Sequence, residues 1–422
     1  METEETRRRS IIPDEIVVEM IARLPLRSIA RFKSVCKQWR SLIQESSYLR
    51  SRFISLHRHS SSSCWSLLFP MQYRSPITEA IGFHACKTWD LPKSLASYLI
   101  TSFQPYPNPI LDYYYYVDSS HGLVWIEVFI GLDQYKSFVG NLFTQERVHI
   151  PPPPHHATFP TGLVTRLDAN NGVVSSFKLI RTCYDDRKER TTHVWRRVYV
   201  YSSETGTWAF KRLWSSFPLW LYDFNNCLNL NGMLYAWENR LYNGGTAPEV
   251  LVSHDFYADH DQCRVIPLPV PYTKHGRGCL TTSCGHVVYV EILDRRLKVW
   301  KLYHNYSNKS SKLWQLTREE VNMPSSLAFD VDCFPLGVNP FDADFVYLWS
   351  RQHRCVVSGN LSTQEFTLHK DSETWSDGEG CWRINTSVSS RYMDDSRDTP
   401  RVFTLSQFVL PQWMDRVPRP PN

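Results

Sequence analysis

Cys279, Cys284 and His286, with Cys263 upstream, are the densest group of metal-ligating side chains in the sequence. Structural zinc takes four nitrogen or sulfur donors, supplied as closely spaced pairs. No Cys-x-x-Cys stands near these positions and no second pair lies at a suitable distance. On a strand His286 shares a face with Val288, so it reads as a strand residue and no metal site is assigned. His155-His156 and His254-Asp255 read as loop residues by the same reasoning. In Ser283-Cys284-Gly285-His286 a thiol and an imidazole stand two positions apart, yet the pattern is that of a turn entering a strand. The acidic pairs Asp185-Asp186, Glu319-Glu320 and Asp394-Asp395 are adjacent in sequence, whereas acid–base work needs carboxylates set apart across a cleft. GxSxG, HExxH, GxxxxGK[ST] and a strand-anchored GxGxxG are absent. No catalytic residue and no cofactor is assigned.

The elements that would hold any site are mostly strands. From about Ser55 onward a turn followed by an apolar-aromatic run recurs at Gly122, Gly172, Gly232, Gly285 and Asp344, spaced 50, 60, 53 and 59 residues apart. A second strand follows in each unit, at Arg147–Ile150, Thr207–Phe210, Arg264–Ile266, Leu313–Leu316 and Glu365–Leu368. Gly140-Asn141-Leu142-Phe143-Thr144-Gln145-Glu146 returns as Gly359-Asn360-Leu361-Ser362-Thr363-Gln364-Glu365, an offset of 219 residues, or four periods of about 55. Strands such as His286 to Ile292 are apolar on both faces, which suits sheets buried between two neighbours. That is the propeller arrangement, with six to seven blades in the space available. The kelch glycine doublet does not recur, since Gly244-Gly245 is the one Gly-Gly in the chain, and Trp89-Asp90 is a single Trp-Asp pair.

Residues 12–49 differ. Ile12-Pro13-Asp14-Glu15 starts a helix, with proline in the first turn and carboxylates at the positive end of the dipole. Ile16, Val17, Met20, Ile21 and Leu24 form an apolar stripe that Leu24-Pro25 ends. A second short helix fits Ser28 to Lys33. A third opens at Ser34 as N-cap and places Val35, Trp39, Leu42 and Ile43 on one face. Three such helices are too small to bury their own apolar faces, so they pack on the neighbouring domain or meet a partner.

The runs Ile-Pro-Asp-Glu-Ile, Arg-Leu-Pro, Ser-Ile-Ala-Arg-Phe and Val-Cys-Lys-Gln-Trp-Arg-Ser-Leu-Ile resemble the F-box over nearly its whole length. Ile12 stands where that family usually has leucine. The resemblance implies docking on a Skp-type adaptor, and through it on a cullin and a RING subunit. The positions it assigns to that contact are Pro13, Ile16, Leu24, Pro25, Ile29, Val35, Cys36, Trp39 and Leu42. Downstream, Ser120 to Val124, Asn141 to Pro154, Tyr201 to Trp208, Asn231 to Tyr235 and Leu410 to Trp413 resemble the F-box-associated β-propeller of the large plant F-box families.

The expected architecture is α+β and multidomain: a charged tail (1–10), a three-helix F-box (11–55), a large all-β propeller with a kelch-like arrangement (56–415) and a frayed tail (416–422). The expected role is substrate recognition in an SCF-type ubiquitin ligase, without catalysis. The competing reading is a propeller enzyme or carbohydrate-binding module that the helices merely cap. Arg187, Lys188, Arg190, Arg295 and Arg296 are the residues that could read an acidic or phosphorylated target segment. A net charge of +5 over 422 residues gives no nucleic-acid surface. Eleven cysteines without a framework suit a reducing compartment, cytoplasmic or nuclear, and no apolar run is long enough for a bilayer.

Overall fold

The computed structural model describes residues 13–57, 65–68, 79–82, 112–130, 134–142, 144–155, 158–183, 195–216, 227–238, 250–270, 277–293, 296–303, 313–322, 333–369 and 402–421. It opens with four helices: α1 (Asp14–Ile21), α2 (Leu26–Phe32), α3 (Lys37–Glu45) and α4 (Ser47–His57). The fourth was not expected. Only Leu49 and Phe53 of its 11 residues are buried, one turn apart, which is too thin a stripe to stand out in sequence. The N-cap of α3 is Cys36, whose sulfur accepts from Trp39 N, and not Ser34. Ser34 Oγ instead donates to the Arg31 carbonyl and closes α2.

After β1 (Trp65–Leu68) and β2 (Glu79–Gly82) come five antiparallel meanders. The first holds β3 (Asp112–Ser120), β4 (Leu123–Ile130), β5 (Gln134–Asn141) and β6 (Arg147–Ile150). The second holds β7 (Thr158–Leu167), β8 (Val174–Cys183), β9 (Trp195–Ser202) and β10 (Thr207–Trp214). The third holds β11 (Cys227–Leu230), β12 (Met233–Glu238), β13 (Val250–Asp255) and β14 (Arg264–Pro267). The fourth holds β15 (Arg277–Ser283), β16 (His286–Leu293), β17 (Arg296–Leu302) and β18 (Trp314–Asn322). The fifth holds β19 (Cys333–Val338), β20 (Phe345–Ser350), β21 (Cys355–Asn360) and β22 (Glu365–His369). Last come β23 (Val402–Phe403) and β24 (Ser406–Val409). The described residues thus form six sheets.

The repeat seen in sequence is one sheet per period. Each recurring turn leads from the first strand of a sheet into the second, and each following run is the outermost strand. Three of the turns, His121-Gly122, Asn231-Gly232 and Cys284-Gly285, have positive φ at both residues, the type I′ geometry that matches strand twist. The recurring heptapeptide builds the same turn twice. Gln145 and Gln364 both take the left-handed conformation, at φ 55° and 58°, while Leu142 and Leu361 are buried beneath.

β24 pairs with β1, Trp65 opposite Val409 and Leu68 opposite Ser406, so segments from the two ends of the chain share the sixth sheet. β24 also packs against β3 and completes the ring. Both faces of β4 are covered: Val124, Ile126 and Val128 join one core cluster, Leu123 and Trp125 another. β23 runs parallel to β15 on its inner side, so the strand Val402–Phe403 lies toward the axis.

Candidate partner-docking surface

The helices divide their apolar residues between two directions. Val17, Val18, Ile21, Leu26, Ile29, Ile43, Leu49 and Phe53 are buried in a core shared with Tyr116, Val124, Ile126, Phe138, Phe408 and Trp413 of the β region. Phe53 meets Trp413 at a ring-centroid distance of 5.2 Å. Arg50 bonds Asp415 at 3.0 Å and also donates to the Asn171 carbonyl, at the turn between β7 and β8. The α4 helix is held to α1 by Arg52, which bonds both carboxylate oxygens of Glu19 at 2.6 and 3.0 Å. Arg52 lowers the pKa of that carboxyl. At the end of α2, burial lowers the pKa of Lys33, against the opposing pull of the Glu146 charge.

The other direction is open. Ile16 is 51% exposed, Met20 59% and Val35 60%. Pro13 and Cys36 are exposed, while Leu24, Pro25, Trp39 and Leu42 are half-buried, with the Trp39 ring tilted against Phe32. Ile29 differs from the rest of this set. It is fully enclosed in the core that the helices share with the β region. The α1 stripe read from sequence therefore splits: Val17 and Ile21 face the core, whereas Ile16 and Met20 face outward.

Of the basic residues proposed to read a target, Arg187, Lys188, Arg190 and Arg295 lie outside the described residues. Arg296 is exposed at the start of β17. The β16–β17 hairpin leaves the ring at the end away from the first hairpins, and the helices engage the first-hairpin end through Arg50 and the β7–β8 turn.

The residues weighed for chemistry are dispersed. Cys279 is buried in β15, where burial pushes its thiol up. Cys284 sits in an exposed turn, His286 stacks on Tyr303, and Cys263 belongs to another sheet. Among the described residues no group of three or more His, Cys, Asp or Glu comes together.

Sequence reading missed a polar belt around the axis. Asp118 on β3 accepts from Leu163 N on β7 at 2.8 Å and Asn229 Nδ2 on β11 at 3.0 Å. Gln407 Nε2 on β24 donates to Thr281 Oγ1 at 2.7 Å and to the Val338 carbonyl at 3.0 Å, spanning β15 and β19. Ser283 Oγ donates to the Asn339 carbonyl at 2.7 Å. Asp118 follows a bulge in β3, which lies in no recognisable motif. The tail expected to be frayed is packed as well. Val417 is buried, its N–H donates to Glu146 at 3.1 Å, and Pro420 covers Gly206.

The helices thus expose an apolar face on one side and are rooted in the β region on the other. Comparison with known families places the chain. The F-box domain matches residues 10–51, and the family described as "F-box protein At3g26010-like, beta-propeller" matches residues 63–419. The chain belongs to this family of F-box β-propeller proteins, a family of substrate adaptors. F-box protein At1g49990 of Arabidopsis thaliana is 51% identical over 99% of this chain and 100% of its own length. F-box protein At3g26010 of the same plant is 39% identical over 99% and 93%. The putative F-box/kelch-repeat protein At1g15680 is 34% identical over 99% and 97%.

Proposed function

We propose that the chain is the target-recognition subunit of an SCF-type ubiquitin ligase acting in the cytoplasm or nucleus. Its helices hold a Skp-type adaptor, and its ring presents a protein for ubiquitination and proteasomal degradation. The observation that carries this reading is the outward set Ile16, Met20 and Val35 on helices whose opposite faces are already rooted in the β region. A helix that merely capped the ring would have no reason to keep such side chains in water. The chain itself performs no bond chemistry. Holding a target beside the conjugating enzyme raises the effective concentration of its lysine. The target meets the end of the ring away from the helices, where Arg296 stands beside the segment that contains Arg295. Co-purification of full-length protein with a Skp-type adaptor tests the reading. Wild type retains the adaptor, and Leu24→Ala with Pro25→Ala loses it. A folded wild type that ignores the adaptor overturns it.

A further inference from the structure

Between the sheets β7–β10 and β11–β14 lies a shallow cleft, half open to solvent, with about 30 Å³ of room inside it. Its walls are largely apolar: Ile180, Val198 and Leu213 on one side, Leu234, Val252 and Phe256 on the other. Thr161, Thr182, Arg196 and Ser253 line it as well, with His254 among them. His254, on β13, is 4% exposed, and its Nδ1 lies 3.3 Å from the Gln262 carbonyl. A carbonyl only accepts, so Nδ1 carries the hydrogen and Nε2 is left as a bare acceptor. Nε2 is buried, and among the described residues no group reaches it. The ring is also held neutral, because burial lowers its pKa to about 4.

A buried polar group without a partner is rare in folded proteins, and each one asks what completes it. The missing partner here must be a donor, which excludes carboxylates and other pure acceptors. The enclosed depth of the cleft suits a group of hydroxyl size, and an attached apolar body would lie across its open mouth. We propose that this cleft binds a small, largely apolar molecule with one hydroxyl, which donates to His254 Nε2 while its carbon skeleton lies against Val198, Leu213 and Val252. The ligand would bridge two neighbouring blades. It would also touch Thr182 and Arg196, near the ends of β8 and β9. The inference is independent of adaptor binding.

The test uses full-length protein carrying ¹⁵N-histidine, titrated with phenol and, separately, with toluene, its counterpart of similar shape without a donor. Phenol is expected to raise the melting temperature saturably, shift the His254 Nε2 resonance and bind at least tenfold tighter than toluene. His254→Phe, which keeps a ring but removes the acceptor, should erase that preference. Val252→Phe, which fills the cleft, should weaken both probes. Equal binding of phenol and toluene, a preference that survives His254→Phe, or an Nε2 resonance that phenol does not move would overturn the proposal. The last outcome would assign the space to water alone. The resonance is read in the wild type, so the answer stands even if a variant fails to fold.

Discussion

Asp118 and Asn229, 111 residues apart, meet at the axis of the ring, where Asn229 Nδ2 lies 3.1 Å from one carboxylate oxygen and 3.0 Å from the other. The same carboxylate takes the Leu163 and Ser119 backbone N–H groups, each at 2.8 Å. One side chain therefore ties the first strands of three successive sheets.

Burial pushes the Asp118 carboxyl up to about 7, against the opposing pull of these hydrogen bonds. A carboxyl raised above its unfolded value binds its proton more tightly when folded. Its stabilising contribution is present at low pH and is lost as pH rises from about 4 through about 7, by at most about 1.4 kcal/mol per pH unit. Chemical denaturation across that range should show this slope in the wild type and its loss in Asp118→Asn. The variant should also be less stable by about 1.5–3 kcal/mol at pH 8, where the wild-type carboxylate is ionised and accepts from all its neighbours, because its amide turns a donor toward donors. A variant with the wild-type slope would show that Asp118 stays ionised throughout.

Substitutions on the helices should separate folding from binding. Ile16→Glu, Met20→Glu and Val35→Glu remove more than half-exposed side chains and should change stability by no more than about 0.5 kcal/mol. Titration calorimetry with a Skp-type adaptor should nevertheless show at least tenfold weaker binding.

Ile29→Ala should do the reverse and cost about 2–5 kcal/mol of stability, because Ile29 is fully enclosed in the core shared by helices and ring. Its adaptor affinity, measured on the folded fraction, should stay near wild type. A large loss of affinity in stable protein would place Ile29 at the contact itself.

Gly122→Ala tests how the tail is seated. Gly122 has φ 79°, and an added Cβ would fall 2.5 Å from Pro411 Cβ. The backbone penalty alone is about 1–2 kcal/mol, and the displaced proline precedes Trp413, the residue that meets Phe53. The melting temperature should fall. Trp413 fluorescence should also change in the native baseline before unfolding begins.

Local signals made much of this molecule legible in sequence. Glycine at 122, 232 and 285 marked turns that proved to open the second strand of a sheet. The repeated heptapeptide fixed the period because both copies need the same buried leucine and left-handed glutamine. The F-box resemblance named Ile16 and Val35 among its contact positions, and both are exposed. What stayed hidden depends on partners distant in sequence. Leu49 and Phe53 look unremarkable until Trp413 arrives, Asp118 is an ordinary strand residue until Asn229 and Leu163 meet it, and Val417 reads as tail until Glu146 holds it. Ile29 was assigned outward because its motif position does not reveal how deep the second helix lies.

The pairing of β1 with β24 sets a timetable for biogenesis. The helices leave the ribosome first, yet Trp413 and Met414, which cover their inner faces, are made about 360 residues later. At roughly 5–20 residues per second, those greasy surfaces wait about 20 to 70 s for cover. During that interval the inner faces lack part of the cover that the finished core gives them.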